Sequence, residues 1–198
     1  MMDALLLSGG MDSVALAWWL RPAWAITIDY GQRPAAAEIE AATAVARAIG
    51  IQHLTITVDC RELGSGDMAG VAPNVHAPAS EWWPYRNQLI ITLAAMKAIT
   101  LGATRLLVGT VASDQLHKDG TLEFFNRIST LVSYQEGGLV VEAPAIDLST
   151  TELILKAEVP PSVLAWAHSC HKAEVACGEC RGCNKYFQVL QELGYGVD

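Results

Sequence analysis

Short apolar runs alternate with longer stretches of helical periodicity along the whole chain, and few architectures accommodate that order. Residues 4–7, 24–29, 53–59, 105–109 and 140–143 read as strands. Helices are expected over 13–20, 35–49, 87–101, 121–135, 149–159 and 184–193. Pro22 stops the first helix, Gly50 sits where the second should end, and Pro160-Pro161 ends the one that starts near Ser149. Strands that alternate with helices in this way build a parallel sheet covered by helices. Between residues 61 and 85 the periodicity disappears among Gly, Pro, Asn and Ser. A loop of that length inside a compact domain is usually functional. No internal repeat or low-complexity segment interrupts the pattern.

A chain of 198 residues suits one domain, or one domain with a small appendage. With 52% hydrophobic and 17% charged residues and a mean hydropathy of +0.26, it can bury a large core, and wholesale disorder is excluded. The most apolar helical run, residues 89–96, meets Lys97 far short of the roughly 20 residues a membrane span needs. No basic segment precedes the first apolar run, so a signal peptide is not expected and the chain should be soluble and cytoplasmic. Thirteen Lys+Arg against 21 Asp+Glu leave a formal charge of −8 and a pI near 5.0. That balance argues against binding nucleic acid through a basic surface. It leaves room for a small anion held by backbone N–H groups.

The turn between the first strand and the first helix is built for such an anion. It reads Ser8-Gly9-Gly10-Met11-Asp12-Ser13. Two glycines let the backbone curl so that successive N–H groups point inward, and the helix behind them adds its partial positive charge. Ser8 and Ser13 can donate to phosphate oxygens, and Asp12 can hold a Mg²⁺ that neutralises them. The G-x-x-x-x-G-K-[ST] phosphate loop is absent. Without a ligand, the same residues would make a tight turn capped by Asp12 or Ser13.

Five cysteines are unevenly placed. Cys60 stands alone and is expected to be a buried thiol. Cys170, Cys177, Cys180 and Cys183 crowd near the C-terminus, with Gly178 and Gly182 allowing tight turns between them. Four thiolates can close a tetrahedral zinc site with no open position, which would make its role structural. The C-x2-C-x2-C core also suits a [4Fe–4S] cluster or a redox dithiol.

The SGGxDS string is the fingerprint of the ATP pyrophosphatase superfamily, whose members cleave ATP between its α- and β-phosphates. Combined with the four-cysteine segment, the chain resembles the 7-cyano-7-deazaguanine (preQ0) synthase family nearly end to end. Ile28-Asp29-Tyr30-Gly31-Gln32-Arg33, Pro84-x-Arg86-Asn87, Val108-Gly109, Phe125-Asn126-Arg127, Ala143-Pro144-x-x-Asp147-Leu148-Ser149 and Trp166-x-x-Ser169-Cys170 are similar to successive blocks of that family. The resemblance implies an α/β fold: a Rossmann-like (HUP-type), mostly parallel five-stranded sheet with flanking helices, plus a small C-terminal zinc module. Residues 1–165 would form the nucleotide-binding domain, and 166–198 the module and a closing helix. It also implies an ATP-dependent ligase that joins 7-carboxy-7-deazaguanine and ammonia to make preQ0 through an adenylate and an amide, acting as a homodimer. Under it, Ser8, Gly9, Gly10, Met11, Asp12, Ser13, Asp29, Gly31, Gln32, Arg86, Asn87 and Gly109 would bind the nucleotide. Asp12, Ser13, Arg86 and Lys118 would assist chemistry, and zinc and Mg²⁺ would be the metals. The plainer alternatives are a surface ion pair for Arg86, a helix cap for Asn87, and turn positions for the glycines.

Three departures from the family pattern bear on the substrate. The lysine usual after D-L-S is Thr150 here. The stretch associated with recognising the base is replaced by Ser113 to Gly120, which makes Lys118 the candidate for the missing cation. Histidines 168 and 171 stand around the first cysteine of the cluster, where a solvated or hydrogen-bonded role is expected rather than ligation. Two further readings therefore stand beside preQ0 synthesis within the enzyme class. One is a relative that stops at the amide or couples the activated carboxylate to another amine, on a protein for example. The other is a tRNA-modifying relative, against which the net charge argues. A non-catalytic ATP-binding module stapled by zinc is the alternative outside it.

Overall fold

The computed structural model describes residues 2–195. Five strands, β1 (Asp3–Leu6), β2 (Trp24–Asp29), β3 (Gln52–Thr57), β4 (Arg105–Val108) and β5 (Val140–Glu142), form one sheet in the order β3-β2-β1-β4-β5. Every neighbouring pair is parallel. The helices are α1 (Met11–Leu20), α2 (Ala35–Ile49), α3 (Gly66–Ala69), α4 (Arg86–Thr100), α5 (Leu122–Tyr134), α6 (Thr150–Ala157), α7 (Pro161–Leu164) and α8 (Arg181–Glu192). The expected five-stranded α/β sheet is present, with element ends shifted by a few residues at most. The chain uses one half of the sheet for β1 to β3 and returns across β1 to build the other half.

β1 lies at the centre and is buried on both faces, so its residues are apolar on both. The side-chain alternation of a strand sends Leu5 and Leu7 to one core and Ala4 and Leu6 to the other. On the first side, Val14, Leu16 and Ala17 of α1 meet Ala42, Val45 and Ala46 of α2, with Leu153 and Ile154 of α6. On the second, Ile91, Ala94, Ala95 and Ala98 of α4 meet Phe125, Ile128 and Val132 of α5. Alanine on α2 and α4 brings both helices close to the sheet.

Local chemistry sets the helix ends. Gly50 closes α2 in the left-handed conformation, donating to the Ala46 carbonyl. Ser149 caps α6 in a reciprocal pair with Glu152, and Thr121 caps α5 by accepting from Phe124 N–H. α4 begins at Arg86, so Asn87 lies inside its first turn rather than capping it.

Gly9 shows why the first turn needs glycine. Its φ is +81°, and a Cβ there would lie 2.7 Å from the Glu38 backbone oxygen and 3.0 Å from the Ala41 Cβ of α2. Gly9→Ala is expected to cost about 1–3 kcal/mol through strain and overpacking. A denaturant midpoint unchanged from wild type would show that α2 can retreat without cost.

Candidate active site

At the carboxyl ends of the strands, where the chain reverses across β1, a cleft of about 290 Å³ opens between β1 and β4. A parallel sheet binds ligands at such a switch point. Its floor is the turn after β1: Ser8, Gly10, Met11, Asp12 and Ser13 all line it. Ser8 Oγ lies 3.2 Å from Ser13 Oγ, and Ser13 Oγ donates to the Gly10 carbonyl at 2.9 Å. Gly109, just after β4, passes so close to α1 that a Cβ would be 2.9 Å from the Ser13 backbone nitrogen. Only glycine allows that approach, and it keeps the wall next to the turn open.

Among the described residues, three Lys and Arg cations line the cleft. Lys185 of α8 places its Nζ 2.8 Å from Asp12 Oδ2 and 3.6 Å from Asp114. The other oxygen of Asp12 accepts from the Thr150 hydroxyl at 2.6 Å. Arg181, one α8 turn earlier, pairs with Glu81 at 2.5 Å and reaches His117 Nε2 at 3.2 Å. Arg86 projects from the start of α4 among Tyr30, Glu38 and Asp119. Burial opposes its charge, but the Tyr30 hydroxyl and the Asp119, Glu38 and Asp114 carboxylates outweigh that and raise its pKa.

Burial also acts on the acids. It raises the Asp12 pKa despite Lys185, and pushes Glu38 up to about 7 against the hydrogen bond from Gln32 and the charge of Arg86. Glu38 thus takes its proton more readily in the folded protein than in the unfolded chain, where its pKa is near 4.5. The stability this provides is complete below pH 4.5 and is lost as pH rises through about 7. Water in the open cleft screens part of the effect, leaving on the order of 1 kcal/mol. Glu38→Gln should remove that part of the pH dependence. Urea unfolding at pH 5 and pH 8 tests it, and identical pH dependence in wild type and variant would exclude Glu38 as the source.

The four C-terminal cysteines converge at the start of α8. Their sulfurs all lie within 4.8 Å of one another and can hold a metal ion. Cys177 Sγ is 3.9 Å from Cys183 Sγ, and Cys180 Sγ is 4.0 Å from Cys170 Sγ. Cys180 is also the N-cap of α8, accepting from Cys183 N–H. The cluster therefore fixes the first turn of the helix that carries Arg181 and Lys185. Gly182 abuts the strip before the cluster so closely that a Cβ would be 1.8 Å from the Ser169 carbonyl oxygen. Neither His168 nor His171 belongs to the cluster. His168 N–H donates to the Gly9 carbonyl and its ring bonds the Ala173 carbonyl, which ties the strip to the turn. Cys60 is half-buried against the second core rather than fully enclosed.

Several residues expected at the nucleotide do not line this cleft. Gln32 is buried and bonds the Tyr30 N–H, the Ile28 carbonyl and Glu38, so it braces the loop after β2. Asp29 accepts from Gly31 N–H, and Gly31 has a φ of +96° with Arg61 against it. None of these three lines the cleft, nor does Gly9. Lys118 is exposed and also absent from the lining, because the segment it occupies points His117, Asp119 and Gly120 inward. Lys185 is the lysine that reaches the floor. Asn87 does line the cleft, with its amide donating to the Asp119 carbonyl. Trp83 is buried in the second core, edge-on to Tyr30 at 4.9 Å. Arg181, Lys185 and Glu81 were not anticipated. The only signal for the first two was their place beside the last two cysteines, Arg181 between them and Lys185 two residues after Cys183, on the helix they start.

The family model described as "Queuosine biosynthesis protein QueC" matches residues 3–194. The chain belongs to the QueC family. Among its curated relatives, a 7-cyano-7-deazaguanine synthase from Acidobacterium capsulatum is 32% identical over 94% of this chain and 90% of the relative. One of the same name from Methanosarcina barkeri is 29% identical over 96% of this chain and 93% of the relative. Two solved structures share the fold at 16% identity. The U34-tRNA thiolase NcsA from Methanococcus maripaludis, with its [4Fe-4S] cluster, superposes with a TM-score of 0.53 over 98% of this chain and 66% of its own. NMN synthetase from Francisella tularensis does so with a TM-score of 0.51 over 100% and 79%. The match runs through both the glycine turn and the cysteine cluster of this QueC chain. Among the described residues, no helix is long and apolar enough to cross a membrane.

Proposed function

We propose that this QueC-family chain is an ATP-dependent 7-cyano-7-deazaguanine synthase, converting 7-carboxy-7-deazaguanine and ammonia to preQ0. One observation carries the reading: the family match spans 3–194, and within it the Ser8–Ser13 turn forms the floor of the cleft at the sheet's switch point. A carboxylate is a poor electrophile because oxide would have to leave. Its attack on the α-phosphate of ATP forms an acyl adenylate and releases pyrophosphate. Ammonia then displaces AMP to give the amide. The amide oxygen then attacks the α-phosphate of a second ATP and releases a second pyrophosphate, and loss of AMP and the two amide protons leaves the nitrile.

The chain's own residues bind and orient. Gly10, Ser8 and Ser13 offer N–H and hydroxyl donors to the leaving pyrophosphate, and the N-terminus of α1 favours its charge. Arg86 and Asn87 face them across the cleft, with Gly109 keeping the wall open. Asp12 offers hard oxygen ligands beside Asp114, which suits Mg²⁺. When bound with ATP, that ion supplies charge neutralisation. A single ion at about 2.3 Å from four thiolates separates the sulfurs by roughly 3.8 Å. Two of the spacings, 3.9 and 4.0 Å, are close to that and all lie within 4.8 Å, which supports one structural zinc over a cubane whose cysteines bind four separate irons. In this reading residues 1–165 carry the nucleotide turn, and 166–198 carry the metal and two cleft cations. Ammonia as the nitrogen donor, a homodimer and a cytoplasmic location belong to the same proposal.

The test is mass spectrometry of products after incubating metal-replete protein with ATP, Mg²⁺, ammonium and 7-carboxy-7-deazaguanine. The nitrile with AMP and pyrophosphate is expected. Amide alone, or deazaguanine attached to protein, would overturn the assigned product.

A further inference from the structure

We propose that Lys185 is a phosphate-binding residue of this cleft, held by Asp12 until ATP arrives and then transferred to its phosphate oxygens. The inference rests on the reading that the cleft binds ATP. Among the described residues, Lys185 is the only lysine lining the cleft, and its Nζ ends 2.8 Å from an oxygen of Asp12, in the first turn of α1. An anion seated on the Ser8–Ser13 turn would therefore lie within reach of the ammonium without movement of α8. The two arginines are already committed: Arg181 bridges Glu81 and His117, and Arg86 is surrounded by Tyr30, Glu38 and Asp119. Lys185 holds only carboxylates that can be satisfied in other ways. Asp12 keeps the Thr150 hydroxyl, and Asp114 keeps the Val111 N–H at 3.1 Å. A compact charge on a flexible stem changes partner more readily than a forked guanidinium held by several groups. A polyphosphate outbids a single carboxylate for it.

The competing account is that Lys185 merely neutralises Asp12. The two accounts separate once Asp12 carries no charge. ATP affinity would be measured by calorimetry in four proteins: wild type and Lys185→Gln with Mg²⁺, then Asp12→Asn and Asp12→Asn/Lys185→Gln without it. Far-UV spectra and metal content would confirm that each is folded. If Lys185→Gln does not fold, Lys185→Met keeps the stem and takes its place. The expected result is a loss of about tenfold in affinity in both backgrounds, the size of one charge-assisted contact, with Lys185→Arg recovering most of it. Equal affinity of Asp12→Asn and Asp12→Asn/Lys185→Gln would overturn the proposal and leave ATP binding intact. Failure of wild type itself to bind ATP would overturn the functional reading as well, and that outcome is distinct from the first.

Discussion

Asp12→Ala is expected to reduce release of AMP and pyrophosphate on the order of 100- to 1,000-fold, the usual cost of deleting one electrostatic stabiliser from a transition state. The carboxylate lies where the glycine turn, the start of α6 and α8 meet, accepting from Thr150 and pairing with Lys185. Removing it deletes the proposed Mg²⁺ ligand and leaves Lys185 with Asp114 alone at 3.6 Å. Fold and bound metal should persist, because the α1 core residues Val14, Ala15, Leu16 and Ala17 are untouched. The assay is AMP formation in the presence of the deazaguanine carboxylate and ammonium, alongside metal analysis and thermal unfolding. Wild-type AMP release from the variant would remove Asp12 from the machinery.

Cys180→Ser should lose metal and stability together. The Sγ of Cys180 is buried, caps α8 and receives N–H groups from Cys183 and His171. Serine remains a good cap, so the helix start survives and the loss isolates the metal. Occupancy should drop from roughly one ion per chain to about a tenth. The stability cost should be on the order of 5 kcal/mol, below the ~10–16 kcal/mol structural zinc contributes in isolated fingers, because Val189, Tyr186 and Leu190 still anchor α8 to the core. Affinity for ATP should fall as well, since Arg181 and Lys185 ride on the same helix. Cys60→Ser, outside the cluster, should retain the metal. A fully metallated and equally stable Cys180→Ser would take that residue out of the ligand set.

How far the site could be read from the sequence depended on the range of each interaction. Strands and helices follow from periodicity and caps within a few residues, and all five strands are where the apolar runs predicted. The glycine turn was legible because its geometry is local. The cysteine cluster was legible because four ligands to one ion must be close in space, and here they are also close in sequence. Asp29, Gly31 and Gln32 do not line the cleft, and the reason is local. They form a tight, hydrogen-bonded loop, and nothing in six consecutive residues tells which side of that loop faces a ligand. Lys185 was out of reach. Its partner is Asp12, 173 residues away, and no local pattern marks a lysine on an amphipathic helix as facing inward. Lys118 stands in an altered motif, but the loop around it turns its neighbours inward and leaves it in water.

The position of β1 has a consequence for how the molecule is made. β1 precedes the other four strands of the described sheet in chain order yet lies at its middle, and its second neighbour, β4, follows about a hundred residues later. Glu81 waits a further 100 residues for Arg181, and Asp12 waits 173 for Lys185. Contacts that close such long loops form late, because their entropic cost must be met before they return any energy. On the ribosome, therefore, the glycine turn emerges well before Lys185, which follows Asp12 by 173 residues. A nascent chain can carry a half-built sheet for many seconds and still be unable to capture nucleotide. Refolding from denaturant should show the same order, with helical signal returning first and ATP binding last.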